Sequence, residues 1–166
     1  TLSHDEICDK LRPLNEQTLS TGGSPDLQQA ALFQVQVAFA QPVSSIDDIR
    51  DRMGRVMLGV VFGSDPPPLA QDIQVLFGYV QSLPRRILWG WTQRSRRERF
   101  YGSIRQSWNE AQGTSLLARA HTFSRGGHFD EDQLLQQIPH WMFTFTGSGT
   151  DLLSRTLAML GSRPEV

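Results

Sequence analysis

The sequence predicts an all-α domain of about seven helices, with one long central helix. Apolar residues recur at three- and four-residue spacing in several segments of the 166-residue chain, as they do on the buried face of a helix. Serine and acidic residues begin these segments, and glycine or proline ends them, which is the order of helix caps. Only Val35-Gln36-Val37 also allows a short strand. Because no internal repeat or boundary divides the chain, we expect one domain over residues 1–166.

Capping and breaking residues place four helices in the N-terminal half. Ser3 and Glu6 form a capping box for the first helix, which Pro13 interrupts. Ser45 caps the third helix, and the segment from Phe62 to Pro68 stops it. The four predicted ranges are 3–13, 27–39, 46–61 and 69–83.

Seven arginines lie between residues 85 and 105, interleaved with aromatic residues. Arginine contacts phosphates and aromatic rings stack on bases, so nucleic-acid binding is one interpretation. The alternative is an amphipathic helix with solvated arginines and inward-facing aromatics. We favour this alternative and expect no nucleic-acid partner.

Composition excludes several classes of protein. The formal net charge of -1 gives no overall attraction to nucleic acid. Cys8 is the only cysteine, so an internal disulfide and a cysteine-based zinc site are both excluded. No apolar run is long enough to span a membrane, and no signal peptide precedes the first helix. These features predict a cytoplasmic protein.

The last two predicted helices cover 115–123 and 131–160, and the second of these is the long central helix. Its middle, residues 145–151, contains two glycines and three hydroxyl side chains. Each glycine costs a helix about 1 kcal/mol relative to alanine, and Pro139 bends it further. Such a weakened centre indicates that a ligand or another large group lies against the backbone.

Apolar residues just before the weak centre form a candidate pocket for a flat hydrophobic ligand. The proposed lining residues are Trp141, Met142, Phe143 and Phe145. Aromatic residues at helical spacing are also typical of an ordinary core, so that alternative stays open. The histidines share no metal-ligand spacing, and no phosphate-binding loop or GxSxG motif is present. We therefore predict no metal site built from side chains of this segment.

Three pieces of the chain follow one another in a characteristic order. A helix ends in Val-Val-Phe-Gly-Ser-Asp at 60–65, a Gly-Gly turn with an acidic cap follows at 126–132, and Thr-Gly-Ser-Gly-Thr at 146–150 leads to Ser-Arg-Pro-Glu-Val at 162–166. Together they resemble the cytochrome P-450 family over nearly the whole chain, most specifically at 131–166. Residues 4–13 are similar to the helix at the haem edge, and Asn15-Glu16 fits a bacterial branch.

The resemblance implies a haem-thiolate monooxygenase in which the groove at 146–150 admits dioxygen between iron and helix. A hydroxyl there helps deliver protons to the oxygen. The motif selects Thr150, which we rank first, whereas the distance to Pro164 selects Ser148, which is kept as the second candidate. Since two residues turn a helix by about 200°, the two hydroxyls cannot both face the haem.

Other residues follow from the same resemblance. The implied cofactor-binding residues are His4, Thr146, Gly147 and Gly149, and the aromatic residues before the groove face the substrate. Gly149 stands where the family has an acid, and Cys8 stands where it has an arginine that holds a propionate.

The family's Glu-x-x-Arg helix and the Phe-x-x-Gly loop with the axial cysteine would lie downstream of Val166. We therefore expect an internal or truncated portion that is inactive alone. Completed, it would insert one oxygen atom into a hydrophobic substrate, with electrons from a ferredoxin or flavoprotein. The alternative from another class is a non-enzymatic helical module that binds a hydrophobic ligand or a partner helix.

Overall fold

The computed structural model describes residues 12–19, 25–63, 94–111, 113–125, 131–144 and 149–162. These parts of the chain contain seven helices and no strand. The all-α prediction is therefore confirmed, and Val35-Gln36-Val37 is helical rather than extended. In chain order the helices are α1 Arg12–Leu19, α2 Pro25–Ala38, α3 Ile46–Phe62, α4 Arg94–Asn109, α5 Leu116–Ser124, α6 Glu131–Thr144 and α7 Thr150–Gly161.

Several predicted features lie outside the described residues. They are the capping box at Ser3, the helix over 69–83, the Gly-Gly turn at 126–127, and Trp89 and Trp91. Helix α1 was not predicted from the sequence. Pro13 lies in its first turn. The N–H groups of the first turn have no acceptor within the helix, so proline, which lacks this group, loses no hydrogen bond there.

Helix α3 is the centre of the fold, with α2, α5, α6 and α7 packed around it. Its caps are the ones that the sequence predicts. The Asp48 N–H group donates to Ser45 Oγ at 3.0 Å, and Gly63 N–H donates to the Gly59 carbonyl at 2.9 Å. Gly63 has φ of 96°, a conformation that glycine adopts without steric penalty.

The connection from α2 to α3 is held by one buried side chain. Arg52 is 8% exposed, and its guanidinium donates hydrogen bonds to the carbonyls of Ala38, Gln41 and Pro42. It also lies over the Phe39 ring, 5.8 Å from the centroid. The guanidinium therefore pairs with carbonyls at the end of α2 and in the loop that follows it.

Helix α4 is the amphipathic helix that we favoured for the arginine-rich segment. Phe100, Ile104 and Trp108 are each at most 2% exposed. Their four-residue spacing places them on one face of α4, and this face packs into the core. The Arg94 and Arg105 side chains are 75% and 60% exposed. Phe100 and Trp108 therefore pack inward and Arg94 and Arg105 contact solvent, as predicted, whereas Tyr101 is 37% exposed and Arg96 and Arg97 are half-buried.

Candidate functional site

Helix α6 forms the first half of the predicted long helix. Glu131 and Asp132 lie in its first turn, where negative charge is favourable near the helix N-terminus. Arg105 Nη2 donates to Asp132 Oδ1 at 2.8 Å, and both side chains are well exposed. This ion pair joins α4 to α6 but contributes little stability, because exposed pairs are screened by water.

Two of the predicted pocket residues lie in the hydrophobic core. Trp141 is 2% exposed and Met142 is 0% exposed, and both pack with Leu134 and Ile138 of the same helix. Phe143 is half-buried. At the described residues, this face of α6 therefore forms part of the core, and its role in substrate binding stays a prediction.

The Trp141 indole has a defined polar partner. Its Nε1–H group donates to Asn15 Oδ1 at 2.8 Å, and Asn15 Nδ2 donates to Gln137 Oε1 at 3.3 Å. A buried indole N–H group needs such an acceptor. The bond orients the ring and fixes α1 against α6.

Helix α7 forms the second half of the predicted long helix, and its start is irregular. Gly149 lies in a π-helical turn directly before Thr150. Such turns are rare in helices and occur often at functional sites. The irregularity therefore falls within the segment where two glycines predict a weakened helix.

Thr150 is 3% exposed, so the first turn of α7 directs this side chain into the protein. Ser154 follows one helical turn later on the same face, and its Oγ is buried with no hydrogen-bond partner among the described residues. Ser154 is not among the site residues predicted from the sequence. Its four-residue spacing from Thr150, which places two hydroxyls on one face of an apolar helix, is the sequence signal that indicates it.

The opposite face of α7 is exposed and carries two large apolar side chains. Leu152 is 69% exposed and Met159 is 61% exposed. Leu152 follows Thr150 by two positions, which places it about 200° around the helix. Helix α7 therefore has Thr150 and Ser154 on its inner face, and its outer face combines Leu152 and Met159 with exposed polar residues such as Thr156.

The remaining predicted site residues lie outside the described parts of the chain. They are His4, Phe145, Thr146, Gly147 and Ser148. Cys8 lies outside them as well. The described structure thus brings together Trp141, Met142 and Phe143 on one helix, and Gly149 with Thr150 at the start of the next.

Two open cavities in the described structure lie beside α5. One of about 290 Å³ is lined by Leu27, residues 113–115 and one face of α5. The other, of about 380 Å³, lies between α1 and α5. Arg119 and Phe123 line both, and the Arg119 guanidinium lies 5.9 Å from the centre of the Phe123 ring. Neither cavity is lined by the predicted pocket residues.

Within the described ranges, no three histidine, cysteine or acidic side chains converge as metal ligands. Of the helices α1 to α7, none has the length and apolar content required to cross a membrane. Comparison of the whole chain with models of protein families, with curated proteins and with solved structures finds no match.

Proposed function

We propose that this chain is a portion of a haem-dependent monooxygenase of the cytochrome P-450 type, which inserts one atom of dioxygen into a hydrophobic organic substrate. One structural observation carries the proposal. The helix pair α6 and α7 departs from regular α-helical geometry at Gly149, within the motif Thr-Gly-Ser-Gly-Thr that resembles the oxygen groove. The burial of α6 in the core and the position of α7 against α3 support it.

We choose Ser148 over Thr150 as the catalytic hydroxyl, although the motif ranks Thr150 first. Thr150 is 3% exposed, whereas Leu152 on the opposite face is 69% exposed. Ser148 precedes Leu152 by four positions in the sequence, which is the spacing of residues that share one face of a helix. A hydroxyl that serves a bound ligand has to lie on a face that the ligand can reach.

The described residues fit a haem only in part. The exposed face with Leu152 and Met159 has the apolar character that a flat macrocycle contacts. An iron ligand is a different requirement, since haem iron in proteins is held by cysteine, histidine, methionine or tyrosine side chains. We assign no iron ligand and no reaction step at iron to the described residues.

The first test of the proposal is the reading frame of the gene downstream of Val166. If the reading frame continues through a Phe-x-x-Gly-x-x-x-Cys sequence, the longer protein should bind haem and give a thiolate-type band in its reduced carbon monoxide spectrum. The 166-residue chain mixed with haem should not give that band. A frame without this sequence would contradict the proposal, and a thiolate-type band from the short chain would place the ligand within it.

In the longer protein, Ser148→Ala should lower the amount of product formed per dioxygen consumed. Thr150→Ala should leave that ratio near the unsubstituted value and lower stability instead, because Thr150 is buried. The measurement is oxygen uptake against product formed, with the unfolding transition of each variant as the control. The reverse pattern would assign the role to Thr150.

The alternative is a helical module that binds a hydrophobic ligand or a partner helix. The exposed apolar residues of α2 and α7 favour it. It predicts binding of an apolar dye to the isolated chain without any requirement for haem, and it would be preferred if the reading frame ended after Val166.

A further inference from the structure

The Arg119 side chain lies where the two cavities beside α5 meet. It lines the cavity of about 290 Å³ and the cavity of about 380 Å³, and so does the Phe123 ring. The guanidinium lies 5.9 Å from the centroid of that ring, and this cation–π contact restricts its position. A guanidinium has five N–H donors in a planar fork and binds a carboxylate through two of them.

The two cavities differ in the charges of the described residues on their walls. Glu16 lines the larger cavity, where its carboxylate would repel a negatively charged ligand. The described residues that line the smaller cavity are Leu27, Gly113, Thr114, Ser115, Ala118, Arg119, Thr122 and Phe123. Among these eight, Arg119 is the one charged residue. The charge on the walls therefore favours an anion in the smaller cavity.

Ser115 adds a second hydrogen-bond donor to the wall of the smaller cavity. The Arg119 N–H group donates to the Ser115 carbonyl at 3.0 Å, so the two residues lie one helical turn apart. Ser115 Oγ accepts from the Ala118 N–H group at 3.0 Å, and a hydroxyl that accepts one bond still has its own proton to donate. Thr122 differs, because its Oγ1 donates to the Ala118 carbonyl at 2.9 Å.

The remainder of the wall favours an apolar body on the ligand. Leu27 is 6% exposed and Ala118 is 7% exposed, and Phe123 adds a half-buried ring. A cavity of about 150 Å³ is large enough for benzene, so one of about 290 Å³ has room for a benzene ring and a carboxylate. A small anion without an apolar body would leave the apolar part of the wall without a contact.

We propose that the smaller cavity is a binding site for a small aromatic carboxylate. The carboxylate accepts two hydrogen bonds from the Arg119 guanidinium and one from the Ser115 hydroxyl. The aromatic ring contacts Leu27 and Phe123. A single carboxylate also matches the single cation among the described wall residues. The inference is independent of the oxygenase proposal, because the residues predicted for the oxygen groove line neither cavity.

The test is a titration of the 166-residue chain with benzoate, followed by the amide signals of its nuclear magnetic resonance spectrum. We expect saturable shifts at Gly113, Thr114 and Ala118, which line the cavity. Arg119→Gln should weaken benzoate binding at least about tenfold, because the bidentate charge-assisted pair is lost. Binding of benzyl alcohol, which has the ring but no charge, should change less than about twofold in this variant.

The matched control is Arg125→Gln. Arg125 is an exposed arginine at the end of the same helix and is not among the described residues of the wall. This substitution should leave benzoate affinity unchanged. The unfolding transition of each variant shows whether it is folded.

A second variant keeps the test valid if Arg119→Gln fails to fold. Thr114 is exposed on the wall of the cavity, and Thr114→Glu places a carboxylate there, just before α5, where negative charge does not destabilise a helix. It should weaken benzoate binding at least about tenfold by repulsion and by competition for Arg119. The same change at exposed Thr156 of α7 should have no effect.

Benzoate that leaves the three amides unshifted would overturn the proposal. Unchanged affinity in Arg119→Gln or Thr114→Glu would do the same, as would an equal loss in Arg125→Gln or Thr156→Glu. Inorganic phosphate that shifts the same amides with equal or higher affinity would show that the cavity binds oxyanions without an apolar body, and the assignment to an aromatic carboxylate would be wrong.

Discussion

The Arg52 guanidinium binds both carboxylate oxygens of Asp48, with Nε 2.7 Å from Oδ1 and Nη2 2.8 Å from Oδ2. The two residues are four apart on α3 and form a bidentate pair, the strongest geometry available to these groups. Asp48 also accepts from the Ser44 N–H group at 3.0 Å. The pair therefore joins the first turn of α3 to the loop that precedes it.

This arrangement predicts how stability depends on pH. Hydrogen bonds from Arg52 and then Ser44 lower the pKa of Asp48 from 3.8 to about 2. A group whose pKa is lowered by folding stabilises the folded state above its unfolded pKa, and this contribution disappears as the pH falls through the folded pKa. The difference in unfolding free energy between the unsubstituted protein and Asp48→Asn should be constant above about pH 5. It should shrink between pH 3.8 and about 2. Urea unfolding at a series of pH values measures it, and parallel curves for the two proteins would contradict the assignment.

Arg52→Lys should destabilise the protein by about 1–3 kcal/mol, because an ammonium group lacks the planar fork that serves a carboxylate and several carbonyls together. The control is Arg50→Lys. Arg50 pairs with Asp47 at 2.9 Å, but these side chains are 58% and 86% exposed, so the change should cost less than about 0.5 kcal/mol. Urea unfolding at neutral pH compares the two. Equal losses of unfolding free energy from the two substitutions would show that the hydrogen bonds from Arg52 to the carbonyls do not stabilise the protein.

The bond between Asn15 and Trp141 gives a third prediction. Asn15→Leu should cost about 1–3 kcal/mol, because it leaves the indole N–H group of a residue only 2% exposed without its acceptor. The same substitution in a Trp141→Phe background should cost less, since the donor is already gone. A double-mutant cycle measured by chemical denaturation gives the coupling energy. Additive effects would mean that the indole bond does not contribute.

Two glycines of α3 should respond differently to alanine. The space around Gly54 is open, so Gly54→Ala should stabilise the protein by about 0.5–1 kcal/mol through helix propensity. A Cβ at Gly59 would overlap the end of the Gln34 side chain. Gly59→Ala should therefore show no such gain until Gln34→Ala removes the obstacle. The measurement is thermal unfolding of Gly54→Ala, Gly59→Ala, Gln34→Ala and the double variant with Gly59→Ala and Gln34→Ala. Equal gains in stability from alanine at both glycines would exclude the overlap.

Helix ends were predictable because their signals are local. Ser45 and Ser115 both accept from the N–H group three residues later, at 3.0 Å in each case, and this spacing is visible in the sequence. Helix α1 is not predicted from the sequence because proline within a helix normally interrupts it, whereas Pro13 lies in the first turn, where proline is tolerated. The approach of Gln34 to Gly59 joins two helices and has no local signal.

Only the position of the candidate site along the chain could be predicted from the sequence. Two glycines in an apolar segment mark where the helix is irregular, because their effect on the backbone is local. From the sequence, the motif ranks Thr150 first, whereas the distance to the following proline favours Ser148. The choice between them depends on which face of α7 packs against its neighbours, and that is set by tertiary contacts between distant segments.

The hydrogen bond from Trp141 to Asn15 joins residues that are 126 positions apart in the chain. A ribosome adds about 5–20 residues per second, so α1 leaves the ribosome several seconds before its partner on α6 is synthesised. Until then Asn15 has no indole to bind, and α1 has to await the second half of the domain. An early helix is thus fixed late, and nascent chains that end before α5 and α6, the helices that contact α1, should leave α1 open to proteolysis.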